Sequence, residues 1–403
     1  FTPVGTGTAR RADVINSSWG SGASFYSGSA PETTLLDGVI ARYGTTIVCA
    51  AGNSGPTVNT LGIPNSALNV ITVGALRSTD PPQTNPNYNT ISEISSRSPS
   101  FVTVPGMTQP ALRAAVHLTA PGENFSVAAY DGPGTVPNWY RFNQRGTSYA
   151  APMVAGAATL LADVGYDRFV RGTDRTAVDG RVLKAVLMNS ADKTTGWTNA
   201  QTSLAGVITT TQALDYNVGT GRLNMDGAFR QYTDWTAGNV VASLAPTLVS
   251  GAGWDFDAVS PGAPTDVYRI GAPLPAGSMF TATLTWFTDS TYDDDANAAA
   301  LIALADLSLE VYRVDGVAPG LVARSDARLN TAEHLHFAIP ALGTYEIRVN
   351  HVGLEYWSQA GPGATYGGTP FAIAWRSTPI PAPGTLSTAA PALLLLTRRR
   401  GVR

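Results

Sequence analysis

The chain has 403 residues, 44% of them hydrophobic and only 14% charged, with a net charge of −3. That length exceeds one ordinary domain and supplies real cores, and the weak charge leaves no basic footprint for nucleic acid. A single cysteine, Cys49, excludes an internal disulfide and reads as a small buried hydrophobe. In chain order, residues 31–43 read as an amphipathic helix: Pro31 suits its first position, Leu35, Leu36, Val39, Ile40 and Tyr43 form the apolar stripe, and Gly44 suits the stop. Residues 47–51 are a short apolar run of the kind that forms a buried parallel strand, closed by the turn residues Gly52, Asn53, Ser54, Gly55 and Pro56. Strand, helix and strand in that rhythm imply a right-handed βαβ unit.

From Gly146 onward the residues Thr147, Ser148, Tyr149, Ala150, Ala151, Pro152, Met153, Val154, Ala155 and Gly156 begin a helix with no polar face. Such a helix is expected to lie wholly inside a domain. Ser148 at its N-terminus meets partial positive charge and unpaired N–H groups, which favour a nucleophile and a developing oxyanion. An ordinary N-cap is the plain alternative. Residues 181–190 have helical spacing through Val182, Ala185, Val186 and Met188. After residue 230 the period changes to alternation, at 280–286, 307–312, 345–350 and 371–375, which read as half-buried strands of a β-sandwich.

The Gly146–Gly156 stretch resembles the nucleophile motif of the subtilisin-like serine peptidases (subtilases), and other segments match that family in order. Ala50, Ala51, Gly52 and Asn53 resemble its Ala-Ala-Gly-Asn segment, which implies that Asn53 donates to the oxyanion. Residues 12–20 resemble its Ala-Asp-Val-Ile-Asn strand running into Ser18, Trp19 and Gly20; by the resemblance Ser18, Trp19, Gly20, Ala50, Ala51 and Gly52 bind substrate by strand addition. For Trp19, a core tryptophan is the alternative. Residues 62–67 and 70–75, Ala120-Pro121-Gly122, and the Gly219, Gly221, Asn224 closing motif complete the match. Gly20 and Asn53 both fall at strand C-terminal ends, where open α/β sheets place their sites.

The resemblance implies an acyl-enzyme at Ser148, with Asn53 and the Ser148 N–H at the oxyanion and Thr147 in support. It also implies a catalytic Asp and His lying ahead of residue 12. His117, His334, His336 and His351 lack the surroundings of that histidine, and Asp13 belongs to the strand motif. The expectation is therefore the distal portion of a longer peptidase, inactive as it stands, whose substrates are polypeptides. A noncatalytic surface-binding protein on the same scaffold is the rival, and an adhesion or carbohydrate-binding role for the β-module is a third reading. The Gly-x-Ser-x-Gly elbow of an α/β-hydrolase is absent around Ser148.

The expected fold class is α/β: an incomplete doubly wound parallel sheet over residues 1–230, then an all-β sandwich over 231–378 resembling jelly-roll modules appended to subtilases. Residues 379–403 form a third unit: a Pro-Ala-Pro-Gly linker, an apolar run too short to span a bilayer, and Arg398, Arg399 and Arg400. This tail resembles PEP-CTERM sorting signals, which implies export to the bacterial surface with transient membrane association. The chemistry requires no cofactor. Asp289, Asp293, Asp294 and Asp295 are a candidate cluster for structural calcium, with a solvated loop as the alternative.

Overall fold

The computed structural model describes residues 11–21, 30–78, 87–108, 111–129, 139–170, 175–233, 246–359 and 365–379. The expected sorting tail, apart from Pro379, lies outside them.

Three strands, β1 (Val14–Ser17), β2 (Thr46–Ala50) and β3 (Ile71–Arg77), pair in parallel, and strand Leu118–Pro121 continues the parallel order beyond β3. Helix α1 (Pro31–Tyr43) connects β1 to β2, and helix α2 (Thr147–Arg168) follows the last of these strands. The side-chain alternation of β2 divides two cores. Val48 and Ala50 pack towards α2 with Val154, Ala158 and Leu161. Ile47 and Cys49 pack towards α1 with Ile40. The sheet is thus covered on both faces, which is why the run 46–50 is apolar throughout. Burial pushes the Cys49 thiol up to about 12, so it behaves as an inert hydrophobe.

Two expectations about helices need correction. The stripe read for α1 included Leu35 and Tyr43, but its fully buried positions are Thr33, Asp37, Gly38 and Ile40. The helix has neighbours on two sides. A Cβ on Gly38 would meet the Thr291 carbonyl oxygen at 2.6 Å and the Ala299 Cβ at 2.8 Å, so later strands lie directly on it. For α2, the expectation was complete burial. One stripe is open among the described residues: Pro152, Gly156 and Thr159 are exposed, with Met153 at 36% and Leu160 at 57%.

Helices α3 (Gly180–Ser190) and α4 (Met225–Thr233) complete this part. Asp179 caps α3 by accepting from the Arg181 N–H at 2.9 Å. Asn224 accepts from the Gly227 N–H at the start of α4 and donates to Asp192 at 2.8 Å, which gives the closing motif a structural task. At the heart of the polar core, Lys184 donates to the Val70 carbonyl at 3.0 Å, and its amine is lowered to about 7 by burial and by Arg113.

The later residues form two sheets. One is antiparallel, in the order Ala252–Val259, Thr369–Thr378, Met279–Trp286, Ala332–Ala338. The other has eight strands and includes Ala298–Arg313, Tyr345–Trp357 and Thr265–Ile270. Phe280, Leu284 and Trp286 from the first share a core with Leu307, Leu309 and Ile347 from the second. The hairpin Thr202–Leu204 and Val207–Thr210 joins the second sheet through parallel pairing with Gly320–Ser325. Residues 280–286 are not half-buried as the alternation suggested. Their threonine face is buried too: Thr283 donates to Asn189 and Thr285 to the Arg181 carbonyl of α3. The polar residues of the pattern face a helix rather than water.

Candidate active site

Ser148 sits in the first turn of α2, and Pro152 lies four residues further on. Proline has no N–H, so the Ser148 carbonyl loses its helical partner. The Ser18 hydroxyl takes that place, donating to the Ser148 carbonyl at 3.1 Å. In return the Ser148 hydroxyl donates to the Ser18 carbonyl at 3.1 Å. This reciprocal clasp ties the start of α2 to the end of β1. It also shows what Ser148 does in the resting chain: its proton is held by a backbone carbonyl, not by a base.

Asn53 follows β2 and is anchored by the residue ahead of Ser148. Its Oδ1 accepts from the Thr147 N–H at 2.9 Å and from the Thr147 hydroxyl at 3.0 Å. The Thr147 hydroxyl in turn accepts from the Gly52 N–H at 3.1 Å. With Oδ1 committed, the amide must turn its Nδ2 donor to the other side. A Cβ on Gly146 would lie 3.5 Å from that Nδ2 and 3.7 Å from the Ser148 nitrogen. Glycine at 146 therefore keeps open a hollow between two N–H donors. Thr147, fully buried, spends its hydroxyl proton on Asn53, so it orients the donor.

The other sequence-derived residues divide by what they expose. Trp19 is 66% exposed, which rules out the core-tryptophan alternative. Gly20 is pressed against the 63–65 segment: a Cβ there would meet Asn65 Nδ2 at 2.6 Å, and the next residue, Ser21, donates from its N–H to the Ile63 carbonyl at 2.8 Å. Ala50 and Ala51 bury their side chains, and Ala51 and Gly52 use their backbones locally, Ala51 donating to Val73 and Gly52 accepting from Ser96.

No histidine is bonded to Ser148. His117 is buried, accepts at Nδ1 from the Thr72 N–H at 2.9 Å, and is held well below the ordinary imidazole range by burial, Lys184 and Arg113. His334 and His336 belong to strand Ala332–Ala338, and His351 to Tyr345–Trp357. Asp13 bonds the Tyr166 hydroxyl at 2.5 Å and Arg175 at 2.9 Å. Tyr166 lies about 27 Å along α2 from Ser148 at 1.5 Å per residue, so Asp13 marks the opposite end of the helix. The acidic cluster is dispersed in its bonding. Asp289 accepts from Tyr366, Asp293 from the backbone N–H groups of Asp295 and Ala296, and Asp294 pairs with Arg42 at 3.7 Å. Among the described residues no three His, Cys, Asp or Glu side chains group as metal ligands.

Sequence reasoning missed Pro152 as the residue that frees the Ser148 carbonyl for Ser18. The signal was present in the spacing, because a proline four residues after a nucleophile always strips that carbonyl of its partner.

A hydroxyl at a helix N-terminus, beside an amide side chain that follows a parallel strand, has the placement a serine nucleophile needs. Residues 5–221 match the Subtilase family, more than half of the chain, and the chain belongs to that family of serine peptidases. It is 45% identical over 64 residues to pyrolysin of Pyrococcus furiosus, a match covering 16% of this chain and 5% of that protein. It is 27% identical over 183 residues to an extracellular protease of Xanthomonas campestris, covering 45% of this chain and 25% of that one. The chain thus spans a minor part of the length of these relatives. Among solved structures, the serine protease of Aeromonas sobria in complex with its chaperone aligns with 93% of this chain and 72% of its own, at 14% identity and a TM-score of 0.38.

Proposed function

We propose that this chain is the distal portion of a subtilisin-type serine endopeptidase, with Ser148 as the nucleophile. The observation that carries the reading is the space at Gly146, bordered by both Asn53 Nδ2 and the Ser148 N–H, with the Ser148 side chain at the same helix start. The Ser148 oxygen adds to the scissile carbonyl while a general base takes its proton. The carbonyl oxygen becomes an oxyanion held by Asn53 Nδ2 and the Ser148 N–H, donors already oriented before charge develops. Collapse breaks the C–N bond, the amine leaves with the proton, and water hydrolyses the acyl-serine ester. Substrate backbone pairs with Ser18, Trp19 and Gly20 on one side and with residues 50–52 on the other.

The base and its orienting acid come from outside these 403 residues, because none of the four histidines present bonds the Ser148 hydroxyl, which donates to the Ser18 carbonyl instead. In their absence the Ser148 proton rests on the Ser18 carbonyl, which favours an inactive chain when it stands alone. We read the strands after residue 246 as an accessory β-sandwich of the jelly-roll kind and the tail as a sorting signal, which together make this an exported protein acting on polypeptides. The name of the Xanthomonas relative is consistent with export. The test is a fluorophosphonate probe on the full-length protein. Labelling at Ser148, abolished in Ser148→Ala, is the expected result; a full-length protein that leaves Ser148 unlabelled overturns the peptidase reading.

A further inference from the structure

Where α3 and α4 meet the antiparallel sheet, one chain of hydrogen bonds crosses between them, and its direction can be worked out from its ends. Gln231 of α4 donates both Nε2 protons to backbone carbonyls, those of Gly253 and Trp375, each at 3.1 Å. Its Oε1 is therefore the acceptor, and it accepts from Asn189 Nδ2 of α3 at 3.1 Å. That leaves Asn189 Oδ1 to accept from the Thr283 hydroxyl at 3.0 Å. A hydroxyl has one proton to give. With that proton spent, Thr283 faces His334 Nδ1, 2.8 Å away, with a lone pair. His334 must then carry its proton on Nδ1 and present a bare Nε2. The group opposite Nε2 is the Lys193 amine at 2.8 Å, which also donates to the Thr220 carbonyl at 2.6 Å. Two carbonyls at one end thus dictate the tautomer of an imidazole at the other. Asn189, Thr283 and His334 are fully buried, so water cannot substitute for a broken link.

We propose that this relay is a proton-sensitive latch, closing the seam between α3–α4 and the sheet 252–378 at neutral pH and releasing it when His334 and His336 take up protons. Protonation at His334 Nε2 sets N–H against N–H at Lys193 and breaks the link between the relay and Lys193. The surroundings supply no compensation. Lys193 precedes Trp197, whose ring it covers at 4.5 Å, and that ring stands edge-on to both His334 and His336. His336 bonds Thr281 at 2.9 Å, and Arg376 on the neighbouring strand reaches the Ser190 carbonyl at 3.4 Å. The groups facing the imidazoles are therefore Lys193, Arg376 and each other, all basic. The acids nearby are already engaged: Asp192 with Arg222 and Asn224, Asp215 with the N–H groups of Thr198, Asn217 and Val218. Glu333 precedes His334 but serves Ser325 and the Ala327 N–H on the opposite face.

The sign follows from burial and those cations, which hold His334 well below its ordinary 6.5 and His336 near 3. Both imidazoles are neutral in the closed state, so their contribution to closure is complete above pH 6.5 and is lost progressively as pH falls below it. Two released imidazoles make the open-to-closed ratio rise about 100-fold per pH unit, against about tenfold when one titrates. The latch is independent of the fate of Ser148, and its test needs no enzymatic activity. Acrylamide quenching of Trp197, taken as the difference between the full chain and Trp197→Phe, is followed from pH 7 to pH 4. The expected result is opening with the steep dependence in the native protein, the shallow one in His334→Asn, and a midpoint moved to lower pH in Lys193→Met. An unchanged dependence in His334→Asn, or an unmoved midpoint in Lys193→Met, overturns the latch. Nitrogen-15 shifts of the native imidazoles decide it even if both variants fail to fold: His334 must be the neutral Nδ1–H form at pH 7, and an Nε2–H or charged ring refutes the proposal.

Discussion

Replacing Asn53 with aspartate separates the two arms of its amide. One arm, Oδ1, accepts twice from Thr147, and an aspartate oxygen can accept both bonds as well. The other arm, Nδ2, is the donor facing the hollow at Gly146, and aspartate puts an acceptor there. Asn53→Asp should therefore leave folding intact, helped by a negative charge beside the N-terminus of α2. Asn53→Ala removes both arms, costing about 1–2 kcal/mol for two hydrogen bonds at a part-buried site. On the proposed mechanism both variants lose an oxyanion donor, about 2.7–4 kcal/mol in the transition state, or roughly a hundredfold to a thousandfold in acylation rate. The assay pairs the fluorophosphonate labelling rate of the full-length protein with its thermal midpoint. Slow labelling with an unchanged midpoint is expected for Asn53→Asp, and slow labelling with a lowered midpoint for Asn53→Ala. If Asn53→Asp labels at the native rate, Nδ2 does not reach the oxyanion and the geometry at Gly146 has been misread.

Other consequences are open to direct measurement. Gly38→Ala would gain up to about 1 kcal/mol from helix propensity alone, yet its Cβ meets the Thr291 carbonyl at 2.6 Å; a net loss of about 1–3 kcal/mol in urea unfolding is expected, and a gain would mean the later strands do not rest on α1. Ser18→Ala leaves the carbonyl freed by Pro152 without its partner, which should cost about 1–2 kcal/mol in calorimetry. Burial raises the Asp255 carboxyl from 3.8 to about 7, so its contribution is complete below pH 3.8 and is lost as pH rises through about 7. Asp255→Asn should flatten that decline, about 1.4 kcal/mol per pH unit, in urea midpoints compared between pH 5 and pH 7; parallel slopes would show that Asp255 ionises freely.

Local chemistry carries the Ser148 hydroxyl and its setting. The apolar run 46–50, the turn residues after it, Pro31 and Gly44 around α1, and the hydroxyl ahead of a small-residue helix are decided by strand burial, turn geometry and helix-end electrostatics. Each depends on residues within a few positions of one another, so it is legible without knowing the fold. What long-range packing decided could not be read that way. Gly38 is buried because strands more than 250 residues later lie against α1, and Asp37 is held inside by the Leu68 and Asn69 N–H groups. The threonines of 281–285 look like a solvent face and are instead the face that meets α3. Pro152 frees a carbonyl by local rule, but only the approach of β1 supplies Ser18 to fill it. The tautomer of His334 is the extreme case: it is determined by two carbonyls on strands 252–259 and 369–378, through side chains drawn from three different elements. Periodicity and propensity act over a turn or two of chain, whereas a buried polar atom takes whichever partner the whole fold delivers.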